Sequence, residues 1–562
     1  MSEDGLTPAQ LASLATAAAY PGDPSAAGGV RWIQTHLSHV FLTSDRVYKL
    51  RKATRLSFVD FAARAERNAD CLREVALNRR LAPDVYLGVA PVRAAGQRVE
   101  IGPVGEALVP GCEHVVVMRR LPEGADALSR LERGALGARD LDLVAARIAA
   151  FHAAHGLGAP APFAAAEWAS RVAAPMRGNV ASLRESARVR VAASAEVEAL
   201  AAETERAIAA HAGAIERRRC EGRAVEGHGD LHLQHVWFEA SPDSPDAPPR
   251  LSLIDCLEFK EEWRQIDAAS EVAFLAMDLA YRGARPLGER FLRKYAALRD
   301  DFGLYDVVDF FVAYRAAVRA KVAALAACDP AIAPGQRERA VESAARHLAL
   351  AREALRPPAA APLLVVCGSV GTGKSTLAEE LADATGGAVV SSDRTRKALA
   401  GIAPESRAQA RAGAPLYADA VTDRVYAALL ERAAPVLGSG RAAVLDATFA
   451  RAKHRLAARD FAAARGVRAL LVEATCDEAV ARERVARRAA LGADPSDAGP
   501  ERVAPSRAAF EPIREWPAAD RLSVRTDSGT ADERAAALRI WVEAHSAGRP
   551  PDPPAGARAP FA

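Results

Sequence analysis

Residues 368–375 read GSVGTGKS. Glycines at 368, 371 and 373 let the backbone curl tightly. The N–H groups of Gly368, Ser369, Val370, Gly371, Thr372 and Gly373 can then face one anion. Lys374 adds a positive charge for the terminal phosphates, and Ser375 places a hydroxyl where Mg2+ is held. Thr376 completes the stretch expected to touch nucleotide. This is chemistry for ATP with Mg2+. Downstream, SSD and LDAT put Asp393 and Asp446 at strand ends. A carboxylate there can accept the proton of an attacking hydroxyl, or bind metal through water or bind substrate. Arg396 can steady an anionic substrate or the group in transit. The alternative for each Asp is a helix N-cap. ARERVARR at 481–488 repeats Arg at helical spacing, so Arg484, Arg487 and Arg488 form either a lid over phosphates or a solvated basic face.

A second set of candidates runs in order through the first half. Lys49 in RVYKL suits the α/β-phosphates of a nucleotide, and Glu74 in CLREVALNRR can fix it. HVVVMRR at 114–120 reads as a strand leading to a hinge, with backbone around Met118 meeting the base. GHGDLHLQHVW at 227–237 carries Asp230, a candidate base. LSLIDCLEF carries Asp255, a candidate Mg2+ ligand. Singly these are ordinary charges; the ordered set Lys49, Glu74, Asp230, Asp255 carries the weight. The 227–237 stretch has the form of a kinase catalytic loop with one exchange. Five places after the Asp, where Asn would hold Mg2+, stands His235. Mg2+ prefers oxygen to imidazole. His235 is therefore expected to reach the nucleotide phosphates, with Asp255 as the metal ligand. His228 reads as a brace of the loop.

These residues need two different scaffolds. THLSHVFL and RVYKL flank Thr43, Ser44 and Asp45 and read as a hairpin. Helical spacing follows over about 60–80, then Ala-rich helix over 137–220. A strand–loop–strand pattern surrounds 227–255, broken by EASPDSPDAPPR at 239–250, which is expected to be disordered. Helices follow to about 355. No GxGxxG loop precedes Lys49, and LSHV at 37–40 is the nearest substitute. RPPAAAP at 356–362 reads as a linker. Beyond it PLLVVCG, AVVSSD, RAAVLDATF, ALLVEATC and RLSVRTD alternate with helical stretches, the pattern of a parallel sheet with crossover helices. The expected fold is an α+β, two-lobed kinase-like domain followed by an α/β P-loop domain. The boundaries are an N-terminal segment 1–29, the kinase-like domain 30–355, the linker, the P-loop domain 363–547 and a disordered tail 548–562.

Half of the 562 residues are hydrophobic, 26% are charged and the net charge is +3. That is a globular composition with too little charge to argue for a nucleic-acid or membrane partner. The seven cysteines form no CxxC pair, which suits reduced thiols better than disulfides or a zinc site. The acidic N-terminus lacks the apolar core of a secretory signal and no apolar run is long enough to span a bilayer, so a cytoplasmic location is expected.

The stretch from about 360 to 545 resembles the P-loop kinases of the polynucleotide kinase, zeta-toxin and gluconate kinase group. GSVGTGKST, the D-x-x-R of Asp393 and Arg396, and VLDATF carry the resemblance. It implies Asp393 as general base and Arg396 as a substrate or phosphate contact. Residues 30–350 resemble the aminoglycoside phosphotransferase/choline kinase branch. The whole chain is similar to a bacterial family of fused aminoglycoside phosphotransferase-like/ATP-binding proteins, on THLSHVFL, VYKLRKATRLSFVDF, NRRLAPDVYLGV and IDCLEF. The expectation is an ATP-dependent phosphotransferase of a small or nucleotide-like hydroxyl substrate, with a second kinase-like site in the first half. Two alternatives stay open: a pseudokinase half that gates the P-loop half, and a polynucleotide 5′-hydroxyl kinase. Near-neutral charge and the lack of an aromatic–basic stripe speak against the latter. Neither the phosphate acceptor nor the oligomeric state is legible.

Overall fold

The computed structural model describes residues 5–56, 59–188, 193–241, 247–402, 418–491 and 499–546. The expected tail 548–562 and the middle of the 239–250 insert lie outside them. The chain forms two compact units, one of residues 1–172 with 219–278 and one of 173–218 with 279–562.

The first unit is built on a six-stranded sheet, antiparallel throughout. Its strands are β1 (Arg31–Gln34), β2 (Ser38–Leu42), β3 (Arg46–Arg51), β4 (Tyr86–Ala95), β5 (Arg98–Ile101) and β6 (Glu113–Arg119). They lie side by side in the order β1-β2-β3-β6-β4-β5. The expected hairpin is β2–β3. Side chains alternate across a strand, and that alternation sets up the site. Tyr48 and Leu50 of β3 share a buried face with Val115 and Val117 of β6. Lys49 and Arg51 take the other face, where Lys49 stands opposite Val116. Helix α1 (Arg64–Arg79) covers that face, packing Cys71 and Val75 on Val116 and Val89. A charge on β3 thereby meets a carboxylate on α1.

Sequence patterning did not reveal β4. Its Gly88 and Pro91 argue as residue types against a central strand. The structure accommodates Gly88 at an irregularity in the β4–β6 ladder. After helix α2 (Ala138–Ala154) come four short strands, β7 (Ala224–Glu226), β8 (Val236–Glu239), β9 (Arg250–Leu253) and β10 (Gln265–Asp267). β8 pairs with β9, and β7 with β10, both antiparallel. The loop 227–235 thus hangs between two strand pairs, and Asp255 follows the end of β9. The helices Ala165–Arg188 and Ser194–Cys220 lie mostly in the second unit, and Ala268–Tyr281 lies mostly in the first.

The second unit contains helices α3 (Arg285–Arg299), α4 (Val308–Cys328) and α5 (Pro334–Ala354) and then an α/β sheet. The sheet alternates β11 (Leu363–Cys367), α6 (Lys374–Thr385), β12 (Ala388–Ser391), α7 (Ser392–Leu399), α8 (Asp419–Gly438) and β13 (Ala443–Asp446). It continues with α9 (Ala452–Ala464), β14 (Ala469–Thr475), α10 (Glu478–Leu491), β15 (Arg521–Arg525) and α11 (Ala531–Ser546). All five strands are parallel, in the order β12-β13-β11-β14-β15. They are the five apolar runs expected. The central strand β11, LLVVC, is buried along its whole length, as a strand covered on both faces must be. One face packs Leu364, Val366, Leu470 and Val472 against Leu377 and Leu381 of α6 and Leu538 of α11.

Packing does not divide the chain at 356–362, where the sequence pattern changes. Ion pairs tie α3 and α4 to the sheet's helices and loops. Lys294 Nζ lies 2.8 Å from Glu379 of α6, and Arg290 lies 2.9 Å from Asp383. Arg441, just before β13, bridges Glu289 and Asp309, each at 2.7 Å. Among the described residues no helix is long and apolar enough to cross a membrane.

Candidate functional site

The chain turns immediately after β11. Gly368 has φ 139°, and a Cβ there would come within 2.4 Å of the Ala474 carbonyl oxygen of β14. At Gly371, φ 82°, a Cβ would meet the Ala481 carbonyl oxygen at 2.7 Å. Neighbouring backbone leaves room only for glycine along this path. The loop then opens α6 at Lys374, and a cavity of about 310 Å3 forms there. Lys374, Ser375, Thr376, Arg484, Arg487 and Arg488 all contribute to its wall, so the three arginines of α10 stand with the loop. Helix N-terminus, loop amides and these cations make an anion site.

Second-layer bonds hold the loop from outside. The Val370 N–H donates to Ser506 Oγ at 3.0 Å and the Gly368 N–H to the Thr448 carbonyl at 3.1 Å. These two amides are engaged by protein rather than turned to an anion as the sequence pattern suggests. The Thr526 hydroxyl donates to the Thr372 carbonyl at 2.7 Å. Arg484 donates to Thr526 Oγ1 and to its carbonyl, each at 2.8 Å. Arg484 therefore braces the loop. Ser506 and Thr526 carried no sequence signal, since each reaches the loop from more than a hundred residues away. Lys374 Nζ donates to the Ser369 carbonyl at 2.8 Å.

The register pairs Val366 with Asp446, which puts Asp446 beside the loop at the end of β13. Burial pushes its carboxyl up, against the pull of the Lys374 charge and a hydrogen bond from Ser375. Oxygen donors from Ser375 and Asp446 side by side fit Mg2+, and these two residues would hold it. Burial lowers the Lys374 ammonium, opposed by the charges of Asp446 and Asp393. Asp393 is the second residue of α7, whose N-cap is Ser391, and α9 is capped by Arg451. Neither Asp393 nor Asp446 is a cap. Asp393 and Arg396 both act electrostatically on Tyr426 of α8. The Tyr426 hydroxyl accepts the Phe449 N–H at 2.9 Å. Tyr426 was not anticipated, because a tyrosine in an amphipathic helix looks like core.

In the first unit, Lys49 Nζ lies 2.9 Å from Glu74 Oε1 and 2.9 Å from Asp255 Oδ1. Three residues linked only by their order in the chain thus meet. Asp255 has φ 61°, rare for a residue with a side chain, and its N–H donates to the buried Tyr86 hydroxyl at 3.1 Å. Burial raises the Asp255 carboxyl, but the charge and hydrogen bond of Lys49 together with the His235 ring hold the group well below the usual range. Met118 stands in the ladder opposite Val47 and Tyr86, near the end of β6, and packs by Val116 and Leu121.

Arg51, two residues along the same face, was missed. It donates to Asp70 at 2.7 Å, to Glu74 at 2.6 Å and to Glu258, all buried. Its signal was the i, i+2 spacing from Lys49; Glu258 offers only its closeness to Asp255. Burial, with the like charges of Glu74 and Asp70, pushes the Glu258 carboxyl up to about 8 from 4.5. A carboxyl raised on folding costs stability as pH rises from its unfolded value to its folded one. The melting temperature of the wild type is expected to fall more steeply than that of Glu258→Gln between about pH 5 and pH 8. Parallel curves from thermal unfolding would contradict this.

The loop 227–235 is held by its histidines. His228 is buried, with Nε2 donating to the Ile254 carbonyl at 2.8 Å and Nδ1 accepting the Asp230 N–H at 3.3 Å. Its place is that of a brace. His235 Nδ1 lies 2.8 Å from the Asp230 carbonyl oxygen, and its Nε2 lies 3.5 Å from Asp255 Oδ2. His232, which carries no sequence signal, packs against His235 with ring centres 3.9 Å apart and planes tilted by 37°. The nitrogen at position 235 does not fit Mg2+, which takes oxygen donors.

The AAA_33 model, described as AAA domain, matches residues 363–513. The chain is 32% identical over 513 residues to the uncharacterized protein Rv2004c of Mycobacterium tuberculosis (strain ATCC 25618 / H37Rv), covering 91% of this chain and 95% of that one. The uncharacterized protein Mb2027c of Mycobacterium bovis matches with the same identity and coverage. Among solved structures, a choline kinase from Cryptosporidium parvum Iowa II is 11% identical, with a TM-score of 0.34, covering 60% of this chain and 93% of that one. A gluconokinase from Sinorhizobium meliloti 1021 is 20% identical, with a TM-score of 0.24, covering 34% and 95%.

Proposed function

The chain belongs to the family of these mycobacterial proteins, and from that premise we propose that it is an ATP-dependent phosphotransferase acting on a small hydroxyl-bearing substrate. The observation that carries the reading is the P-loop cavity, where Lys374, Ser375 and three arginines face one space beside Asp446. In this reading the loop amides and Lys374 bind the β- and γ-phosphates. Asp393 takes the proton of the acceptor hydroxyl as oxygen attacks phosphorus and ADP leaves. Arg396, Arg487 and Arg488 balance the charge spread over the phosphoryl oxygens. Mg2+, when bound by Ser375 and Asp446, supplies neutralisation of the β/γ-oxygens.

A second reading is favoured by His235. With nitrogen where an oxygen ligand belongs, the first unit serves as a regulatory half rather than a Mg2+-dependent kinase. Both readings are tested with γ-labelled ATP on the full chain, against panels of sugars, amino alcohols and nucleosides. The expected result is acceptor-dependent transfer that Lys374→Ala removes and Asp255→Asn leaves in place if the first unit only regulates. Absence of transfer to every class counts against the phosphotransferase reading.

A further inference from the structure

The imidazole of His235 is fixed in one tautomer. A carbonyl oxygen only accepts, so the 2.8 Å contact with Asp230 O puts the proton on Nδ1. Nε2 then presents a lone pair, and it faces Asp255 Oδ2, a second acceptor, at 3.5 Å. A charge-assisted hydrogen bond would bring N and O to about 2.7–2.9 Å. No proton bridges this gap. A similar gap of 3.6 Å separates His232 Nε2 from Asp230 Oδ2. Asp230, His232 and His235 each offer one ligand atom, and all three atoms lie within 4.8 Å of one another.

Donors bound to one ion at about 2.0–2.1 Å with near-tetrahedral angles stand roughly 3.4 Å apart. The His235–Asp255 gap of 3.5 Å and the His232–Asp230 gap of 3.6 Å are close to that spacing. We propose that Asp230, His232 and His235, with Asp255 alongside, form a binding site for a divalent transition ion of the Zn2+ type, in preference to Mg2+. Imidazole nitrogen selects such ions, whereas Mg2+ takes oxygen. The supporting contacts are those of a built metal site. His235 is oriented by its Nδ1–H bond to Asp230 O. His232 is packed between His235 and Phe274, whose ring centre lies 5.5 Å away. Asp255 is oriented by Lys49, which takes its other oxygen at 2.9 Å. An Asp230 engaged with metal is not available as a base, so the site stands apart from the transferase reading of the second unit.

The test uses the full chain, stripped with a chelator and titrated with Co2+ in millimolar Mg2+. One equivalent of Co2+ is expected to bind with visible d–d absorption of tetrahedral strength, displaced by Zn2+. His232→Gln and His235→Asn, checked for folding by circular dichroism, are each expected to weaken Co2+ binding at least about tenfold. Cys220 and Cys328 are exposed thiols; replacing both with Ser is expected to leave the spectrum unchanged. The proposal is overturned if the wild type shows no such absorption, if the histidine variants bind Co2+ as the wild type does, or if the cysteine variant loses it. No ATP or acceptor is present, so a failed kinase assay and a failed metal titration are separate results.

Discussion

Replacing Lys374 with Ala is expected to lower ATP turnover by at least about a hundredfold. The ammonium is the one charge that the loop itself supplies, and it sits at the mouth of α6, where amides and helix dipole already favour phosphate. Burial costs it stability as a cation, which Asp446 and Asp393 partly offset. A phosphate group would take over that compensation at closer range. Removing the ammonium leaves the buried Asp446 and the half-buried Asp393 without the lysine charge that faces them, so binding is expected to fall along with turnover. Calorimetry should show the loss of one ATP site, and a steady-state assay the loss of rate. Undiminished affinity with full stoichiometry would remove the P-loop assignment.

Asp393→Asn is expected to separate binding from transfer. The amide keeps the shape and the polar contacts but cannot take up a proton. Turnover should drop about a hundredfold or more while ATP affinity holds. The position supports a role in transfer, because Asp393 stands in the first turn of α7, one residue past the N-cap neighbour Ser392, and its charge acts on Lys374 at the loop. An unchanged rate would make the residue an ordinary first-turn acid. A collapse of ATP affinity would move it into the nucleotide site.

The parts of this molecule that were legible in the sequence are those whose partners are local. GSVGTGKS is read from eight adjacent residues, and the five parallel strands from short apolar runs between helical ones. Lys49, Glu74 and Asp255 were readable as a set because their order along the chain is itself a pattern. The Arg51 network was not, because it exists only once α1 lies on the odd-numbered face of β3, and a buried Arg looks in sequence like any surface Arg. His232 is a similar case. Its ring acquires meaning from its contact with His235, and a loop's side-chain directions are not periodic. Thr526 and Ser506 illustrate the limit from the other side, since their only mark is a hydrogen bond to a loop far away in the chain. The packing division was hidden for the same reason, as no spacing rule links Lys294 to Glu379.

That last contact bears on how the protein would come apart. α6 begins with the lysine of the phosphate loop and ends, three turns later, among Arg290, Arg293 and Lys294 of α3. A cut at 356–362 would strand Glu379 and Asp383 without their cations and leave Arg441 with neither Glu289 nor Asp309. The Pro- and Ala-rich stretch is thus a hyphen within a word rather than a space between two. A ligand that tightens the phosphate loop stabilises helices written some seventy residues before it, and a lesion in those helices would be felt first as a weakened grip on nucleotide.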